Sequence, residues 1–180
     1  SITESTAPLP RSFYGLSKVH SEELLKFSLL HAQTETLLIV RPTTVYGDVD
    51  KHNYDPSGFV YRLRDQGEIQ MWGDGTEVRD FVYIDDFCRV MYRLIQKGAS
   101  DVVNIVSGFS ISFSEIATEI GKFTELSDKL KFNRRTNKKV DHHYKNRALG
   151  KWLPAYKYLN NKEVIRELVC EILKESIREL

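Results

Sequence analysis

The chain has 180 residues, of which 41% are hydrophobic and 28% charged, and Lys plus Arg (26) almost balance Asp plus Glu (25). This composition is typical of a soluble globular protein, and the near-zero net charge argues against nucleic acid or an anionic membrane as a partner. Cys88 and Cys170 stand far apart without a CxxC pattern, which excludes a disulfide scaffold and a cysteine-built zinc site. Apolar runs are too short to span a membrane and no signal peptide is visible, so we expect a cytoplasmic protein.

Helices and strands alternate along the predicted chain. Apolar residues at helical spacing predict helices, and short aliphatic or aromatic runs predict strands. In chain order we predict a helix over Phe13–His31, a strand over 37–40, a helix over Ser57–Gln66, an extended segment over 80–83, a helix over 85–97, a strand over 102–106, a helix over 112–123, a strand over 130–132 and an amphipathic helix from 160 to about 177. This alternation predicts an α/β fold with at least part of a parallel sheet.

The pair Tyr14 and Lys18 is the first motif with a chemical use. Four residues apart at a helix start, the two side chains share one helix face. A phenol is a poor base at neutral pH, but a nearby ammonium group favours its ionised form, so the pair could move a proton to or from a hydroxyl. The alternative is a packed tyrosine beside a solvated lysine.

Two further motifs follow in order. Arg41-Pro42-Thr43-Thr44-Val45-Tyr46-Gly47 ends the first strand, and Gly73-Asp74-Gly75 opens a segment that runs through Arg79-Asp80-Phe81 to Asp85-Asp86. With Tyr14-Gly15-Leu16-Ser17-Lys18, these motifs closely resemble the extended short-chain dehydrogenase/reductase family, the NAD-dependent epimerase/dehydratases that modify nucleotide sugars. The resemblance covers nearly all of the chain.

The resemblance implies roles near the nicotinamide cofactor, NAD or NADP. Tyr14 is similar to the catalytic acid/base, and Lys18 to the lysine that binds the nicotinamide ribose and tunes the tyrosine. Pro42 and Thr43 resemble the residues that line the nicotinamide side at a strand's carboxyl end, where ligands of open α/β sheets sit. Thr44 occupies the position that faces the sugar.

The resemblance also implies a site for the nucleotide diphosphate. Gln70 and Trp72 match the short strand that holds the base, and Arg79 matches an arginine that contacts the diphosphate. Arg135 matches a second such arginine, although Thr136-Asn137-Lys138 replaces the Pro-Gly-Asp that usually follows it. The alternatives are a salt bridge of Arg79 with Glu77 or Asp80 and a core position for Trp72.

Other polar clusters have simpler interpretations. Asp85-Asp86 suits a helix N-terminus, because the helix dipole favours acidic residues there. His142-His143 lacks a third ligand at fixed spacing, so we expect surface residues and no metal site.

The resemblance further implies the architecture. We expect the carboxyl-terminal part of a Rossmann-like doubly wound parallel sheet, formed by residues 1–49 and 81–112, and a smaller mixed α/β substrate domain, formed by residues 50–80 and 113–180. The glycine triad that binds dinucleotide phosphates is nowhere in the sequence.

We therefore expect a fragment of a nucleotide-sugar epimerase, dehydratase or reductase, inactive on its own, whose parent dimerises through the Tyr14–Lys18 helix. The alternative is a non-catalytic module that binds nucleotide sugars or dimerises.

Overall fold

The computed structural model describes residues 1–31, 36–47, 55–126, 128–136 and 138–178, with side chains up to residue 172. In these ranges the helices are α1 (Phe13–His31), α2 (Ser57–Gln66), α3 (Ile84–Gln96), α4 (Phe113–Gly121), α5 (Arg147–Trp152) and α6 (Asn161–Arg178). The strands are β1 (Leu38–Pro42), β2 (Thr44–Tyr46), β3 (Ile69–Trp72), β4 (Val78–Tyr83), β5 (Asp101–Ile105), β6 (Ser110–Ser112) and β7 (Leu130–Asn133). Residues 48–56 form a polar, turn-rich segment of the sequence that predicts a loop, and they lie largely outside the described ranges.

The strands form small sheets in which parallel pairing dominates. β1 runs parallel to β5, with Leu38 opposite Asp101 and Pro42 opposite Ile105. β2 runs parallel to β4, which pairs on its other side with the antiparallel β6, and β3 runs parallel to β7. Because parallel strands need long crossover connections, helices fall between the paired strands, and the predicted α/β class is confirmed.

Two apolar clusters form the core. One joins α2, α4 and α6 to strands β2, β3 and β4, with Phe59, Phe81 and Ile165 among its buried side chains. The other joins α3 to β5 and takes in Leu149 and Leu153. The division at residues 50–80 and 113–180 stays a prediction, and Leu149 and Leu153 pack with the second cluster rather than with the rest of that segment.

Local signals in the sequence explain several helix ends. A serine three residues before a glutamate predicts a capping box at the start of α4, and the structure confirms it: the Ser112 hydroxyl accepts the Glu115 N–H while the Glu115 carboxylate accepts the Ser112 N–H. Ser12 Oγ likewise accepts the Gly15 N–H at 3.0 Å and caps α1. Within the described ranges, none of the helices is both long and apolar enough to cross a bilayer.

Helix α1 lies on the rest of the protein without burying a residue. Its half-buried positions recur at helical spacing and form one face: Gly15, Val19, Glu22, Lys26 and Leu29. On that face the Glu22 carboxylate accepts two N–H groups of Arg41 in β1, at 2.9 and 2.5 Å. The opposite face carries exposed apolar side chains at the same spacing: Phe13, Leu16, Leu24 and Phe27. We call this second set the α1 stripe.

Candidate functional site

The Tyr14–Lys18 pair forms in the first turns of α1, as the spacing predicts. Lys18 Nζ lies 5.2 Å from the centroid of the Tyr14 ring, a cation–π distance. Tyr14 is 72% exposed, so its hydroxyl is accessible to a ligand. This exposure argues against the alternative interpretation, in which Tyr14 is a packed residue. The cap from Ser12, two residues before Tyr14, fixes where the helix begins.

Pro42, Thr43 and Thr44 lie together where β1 ends and β2 begins. Pro42 is exposed at the carboxyl end of a parallel strand, and Thr44 is half-buried in β2. Thr43 is held between them, because its N–H donates to the carbonyl of Ile105 at 3.1 Å and its hydroxyl donates to the carbonyl of Asp80 at 2.8 Å. These contacts tie the junction of β1 and β2 to the carboxyl end of β5 and to β4, and open α/β sheets bind ligands at the carboxyl ends of their strands.

The buried Asp80 side chain supports the same region through hydrogen bonds to the loop after β5. The sequence motifs gave this residue no role. Its side chain is fully buried and accepts the N–H groups of Ser107 at 2.9 Å and Gly108 at 2.8 Å. Burial raises the pKa of Asp80 against the opposing effect of these hydrogen bonds. The carboxylate thus fixes the loop that follows β5 beside Thr43.

Gln70 and Trp72 share the exposed face of β3. The strand alternates strictly, with Ile69 and Met71 buried and Gln70 and Trp72 exposed. Trp72 is 60% exposed, which is incompatible with a core position. Asn133 stands opposite Trp72 in β7, and its amide donates to Gln70 Oε1 at 3.4 Å. The face therefore combines an aromatic ring with amide groups.

Arg79 and Arg135 meet at one carboxylate, that of Glu77. Each guanidinium donates to a different oxygen of Glu77, and each is also held by backbone carbonyls. The predicted alternative of a salt bridge between Arg79 and Glu77 is therefore observed, whereas Asp80 points elsewhere. The second arginine on the same carboxylate was not predicted, because it arrives from a segment 58 positions away.

The surroundings of this cluster favour the ionised form of Glu77 and the neutral form of His142. Burial opposes ionisation of Glu77, but the hydrogen bonds from Arg135 and Arg79 outweigh it and lower the pKa of Glu77. Burial, and then the charge of Arg79, lower the pKa of the neighbouring His142. With a neutral His142, the cluster at neutral pH holds two positive charges and one negative charge.

The predicted residues thus form three groups: the Tyr14–Lys18 pair, the strand ends with Pro42, Thr43 and Thr44, and the face and cluster around Gln70, Trp72, Arg79 and Arg135. Among the contacts of the described residues, none joins the Tyr14–Lys18 pair directly to the arginine cluster. Glu22 and Arg41 connect the first group to the second, since they tie α1 to β1. Sequence reasoning missed Glu22 and the structural role of Asp80, and it anticipated Glu77 only as a partner of Arg79, because their other contacts come from distant segments.

Comparison with known sequences identifies relatives for a large part of the chain. The model of the NAD dependent epimerase/dehydratase family matches residues 1–106. The chain is 34% identical over 110 residues to a dTDP-4-dehydro-6-deoxy-D-allose reductase of Streptomyces bikiniensis, which covers 58% of this chain and 33% of the relative. It is 31% identical over 108 residues to a UDP-glucuronate 4-epimerase of Thermodesulfobacterium geofontis, which covers 59% and 33%.

Solved structures show the same fold over almost the whole chain. A dTDP-glucose 4,6-dehydratase of Bacillus anthracis in complex with NAD superposes with a TM-score of 0.84 at 17% identity, covering 97% of this chain and 56% of the other. A UDP-glucuronic acid 4-epimerase of Bacillus cereus in complex with UDP-glucuronic acid and NAD gives 0.84 at 21% identity, with the same coverage.

The chain therefore spans about a third of these curated relatives and just over half of these structures. The family match covers residues 1–106, and it contains the Tyr14–Lys18 pair, the strand ends and Arg79. The chain belongs to the NAD dependent epimerase/dehydratase family.

Proposed function

We propose that the chain carries the proton-transfer and substrate-binding part of an enzyme that moves hydride at a carbon of a nucleotide-linked sugar. The observation that carries the proposal is the exposed Tyr14 phenol with the Lys18 ammonium beside its ring. In this proposal Tyr14 takes a proton from a sugar hydroxyl or returns one, and the Lys18 ammonium lies within reach of the same substrate and cofactor atoms. Epimerisation, dehydration and reduction of nucleotide sugars can all begin with this step.

The residues present fit one end of the cofactor. Pro42 and Thr43 stand at the carboxyl end of β1, and two hydrogen bonds hold Thr43 in place. We propose that they line the nicotinamide side, with Lys18 on its ribose. NAD, when bound, supplies the group that accepts or donates hydride. The 180 residues contain no glycine triad for the dinucleotide phosphates, so the fit covers the nicotinamide end alone.

The substrate would lie across the remaining two groups. Thr44 faces the sugar, the β3 face with Gln70 and Trp72 holds the base, and Arg79 and Arg135 bind the diphosphate. Support comes from the exposure of Trp72 and from the two guanidinium groups, whose planar donors match phosphate oxygens.

We further propose that the protein forms a homodimer through α1. The α1 stripe faces away from the rest of the chain, and its apolar side chains would leave water in an interface. We also propose a reducing, cytoplasmic location, supported by the two free cysteines, Cys88 and Cys170.

A second candidate function is a non-catalytic module that binds nucleotide sugars or dimerises. The α1 stripe, an exposed apolar face on a helix, favours it. NAD-linked turnover of nucleotide sugars separates the two candidates. We expect none from the 180 residues alone, and turnover that depends on Tyr14 in an enzyme containing them. If replacing Tyr14 in such an enzyme left its turnover unchanged, the catalytic proposal would be wrong. If the 180 residues alone showed turnover, the expectation that they are inactive would be wrong.

A further inference from the structure

We propose that Glu77 is a positioning residue that joins Arg79 and Arg135 into a single two-armed diphosphate site. The inference rests on the proposed function, since it assumes that the two arginines bind the diphosphate. The family motifs assign no role to Glu77, whereas the structure shows it bonded to both arginines.

Glu77 stands between the two arginines and is well shielded. Its side chain is 14% exposed, and its two oxygens are divided between the arginines, Oε1 accepting from Arg79 and Oε2 from Arg135. If both Glu77 oxygens bound one arginine, the other arginine would have no carboxylate partner in the cluster. The division therefore fixes the separation of the two guanidinium groups.

Backbone carbonyls complete the grip on each arginine. Arg79 Nη1 donates to the carbonyls of Val78, at 3.0 Å, and Val140, while Arg135 Nη2 donates to the carbonyl of Trp72 at 3.3 Å. A guanidinium carries more N–H donors than these contacts use, so both arginines keep donors for an anion. Immobilised donors bind an anion with a smaller loss of conformational entropy.

The turn before β4 makes room for this arrangement. Gly73 has a φ of +65°, and a Cβ at this position would lie 2.7 Å from Nε of Arg135. The glycine is therefore required both for the left-handed turn and for the close approach of the guanidinium. Arg135 lies against the same turn that carries Trp72, which places the diphosphate site next to the face proposed for the base.

The sign of the effect distinguishes positioning from simple charge. Glu77→Gln removes a negative charge from the cluster, so electrostatic attraction alone would tighten the binding of an anion. The glutamine amide, however, directs an NH2 group at one guanidinium, where donor faces donor. Positioning thus predicts weaker binding despite the more positive cluster.

The test is calorimetric titration of the full chain with inorganic pyrophosphate. We expect Glu77→Gln to weaken the affinity about tenfold or more, the scale of one charge-assisted hydrogen bond. The matched control is Glu119→Gln, because Glu119 is 13% exposed and bridges Lys122 and Lys162 away from this cluster. It should leave the affinity unchanged.

Unchanged or tighter binding by Glu77→Gln would overturn the proposal, and a lower melting temperature with unchanged affinity would mean a merely structural role. If Glu77→Gln does not fold, Glu77→Asp keeps the charge with a shorter reach. It should bind more weakly than the wild type, and equal or tighter binding would overturn the proposal.

Arg79→Ala and Arg135→Ala separate this inference from the proposed function. If neither changes the affinity for pyrophosphate, the diphosphate assignment itself fails. If both weaken binding and Glu77→Gln does not, only the positioning role fails.

Discussion

Tyr14 and Lys18 lie side by side on an exposed turn of α1, and few contacts of their own hold them there. The cap from Ser12 and the ion pair of Glu22 with Arg41 set the position of the helix that carries them. The chemistry proposed for Tyr14 therefore depends on residues that never touch a substrate.

In an active enzyme containing these residues, Tyr14→Phe should lower kcat by about 10²–10⁴, the scale of general acid–base catalysis. The change removes the proton-carrying oxygen and keeps the ring beside Lys18. Steady-state kinetics with a nucleotide sugar measure the effect. Tyr92→Phe is the matched control, because Tyr92 is also exposed on a helix, away from the site. A kcat close to the wild-type value would assign the proton to another group.

The Asp80 carboxylate holds the loop after β5 in place beside Thr43. Asp80→Ala leaves the buried N–H of Ser107 and the N–H of Gly108 without their acceptor. We expect a loss of about 2–4 kcal/mol in the free energy of unfolding, because an unsatisfied buried donor is costly. Urea unfolding measures the change, with the exposed Asp128→Ala as control. A loss no larger than that of the control would show that the loop after β5 does not need the carboxylate.

At the scale of the element, α1 differs from the other helices of the described ranges because it buries none of its residues. Its tie to β1 is the Glu22–Arg41 pair, and the hydrogen bond from Arg41 lowers the pKa of Glu22 below its ordinary value of 4.5. Because the folded pKa is depressed, the pair contributes stability above pH 4.5 and loses it as the pH falls through the folded pKa.

Glu22→Gln should therefore destabilise the protein by about 1–2 kcal/mol near neutral pH. The difference from the wild type should shrink as the pH falls below 4.5. Urea unfolding over a pH series measures it, and the exposed neighbour Glu23→Gln should show little effect at any pH. A difference that stays constant with pH would mean that the charge of Glu22 is not the source of its contribution.

How well each element could be predicted depended on its length and burial. The long helices α1, α3 and α6 and the capping box at Ser112 follow from local periodicity and side-chain chemistry. The strands β2 and β6 have three residues each, too few for an alternation to show. The strand predicted over 37–40 is observed as β1, which extends past the aliphatic run to the exposed Pro42. Arg79 and Arg135 could be assigned from motifs, but Glu77 could not, because its role exists only after distant segments meet.

At the scale of the whole molecule, the α1 stripe is an apolar helix face that the fold leaves exposed. If it is a dimer interface, Leu24→Glu and Phe27→Glu should each shift the protein from dimer to monomer, since a buried charge without a partner is costly. Sedimentation velocity measures the shift. Leu9→Glu is the control, because Leu9 is 84% exposed and lies outside α1. A wild-type chain that stays monomeric at high concentration would contradict the proposal.

Recognition of a nucleotide diphosphate by the arginine cluster is the claim on which the substrate class depends. Calorimetric titration of the full chain with UDP-glucose and dTDP-glucose tests it most directly, with Arg79→Ala as the variant and Arg89→Ala, on α3, as the matched control. We predict saturable binding of at least one of the two by the wild type and by Arg89→Ala, weakened about tenfold or more by Arg79→Ala. Absence of saturable binding by the folded wild type, or an affinity that Arg79→Ala leaves unchanged, would contradict the account.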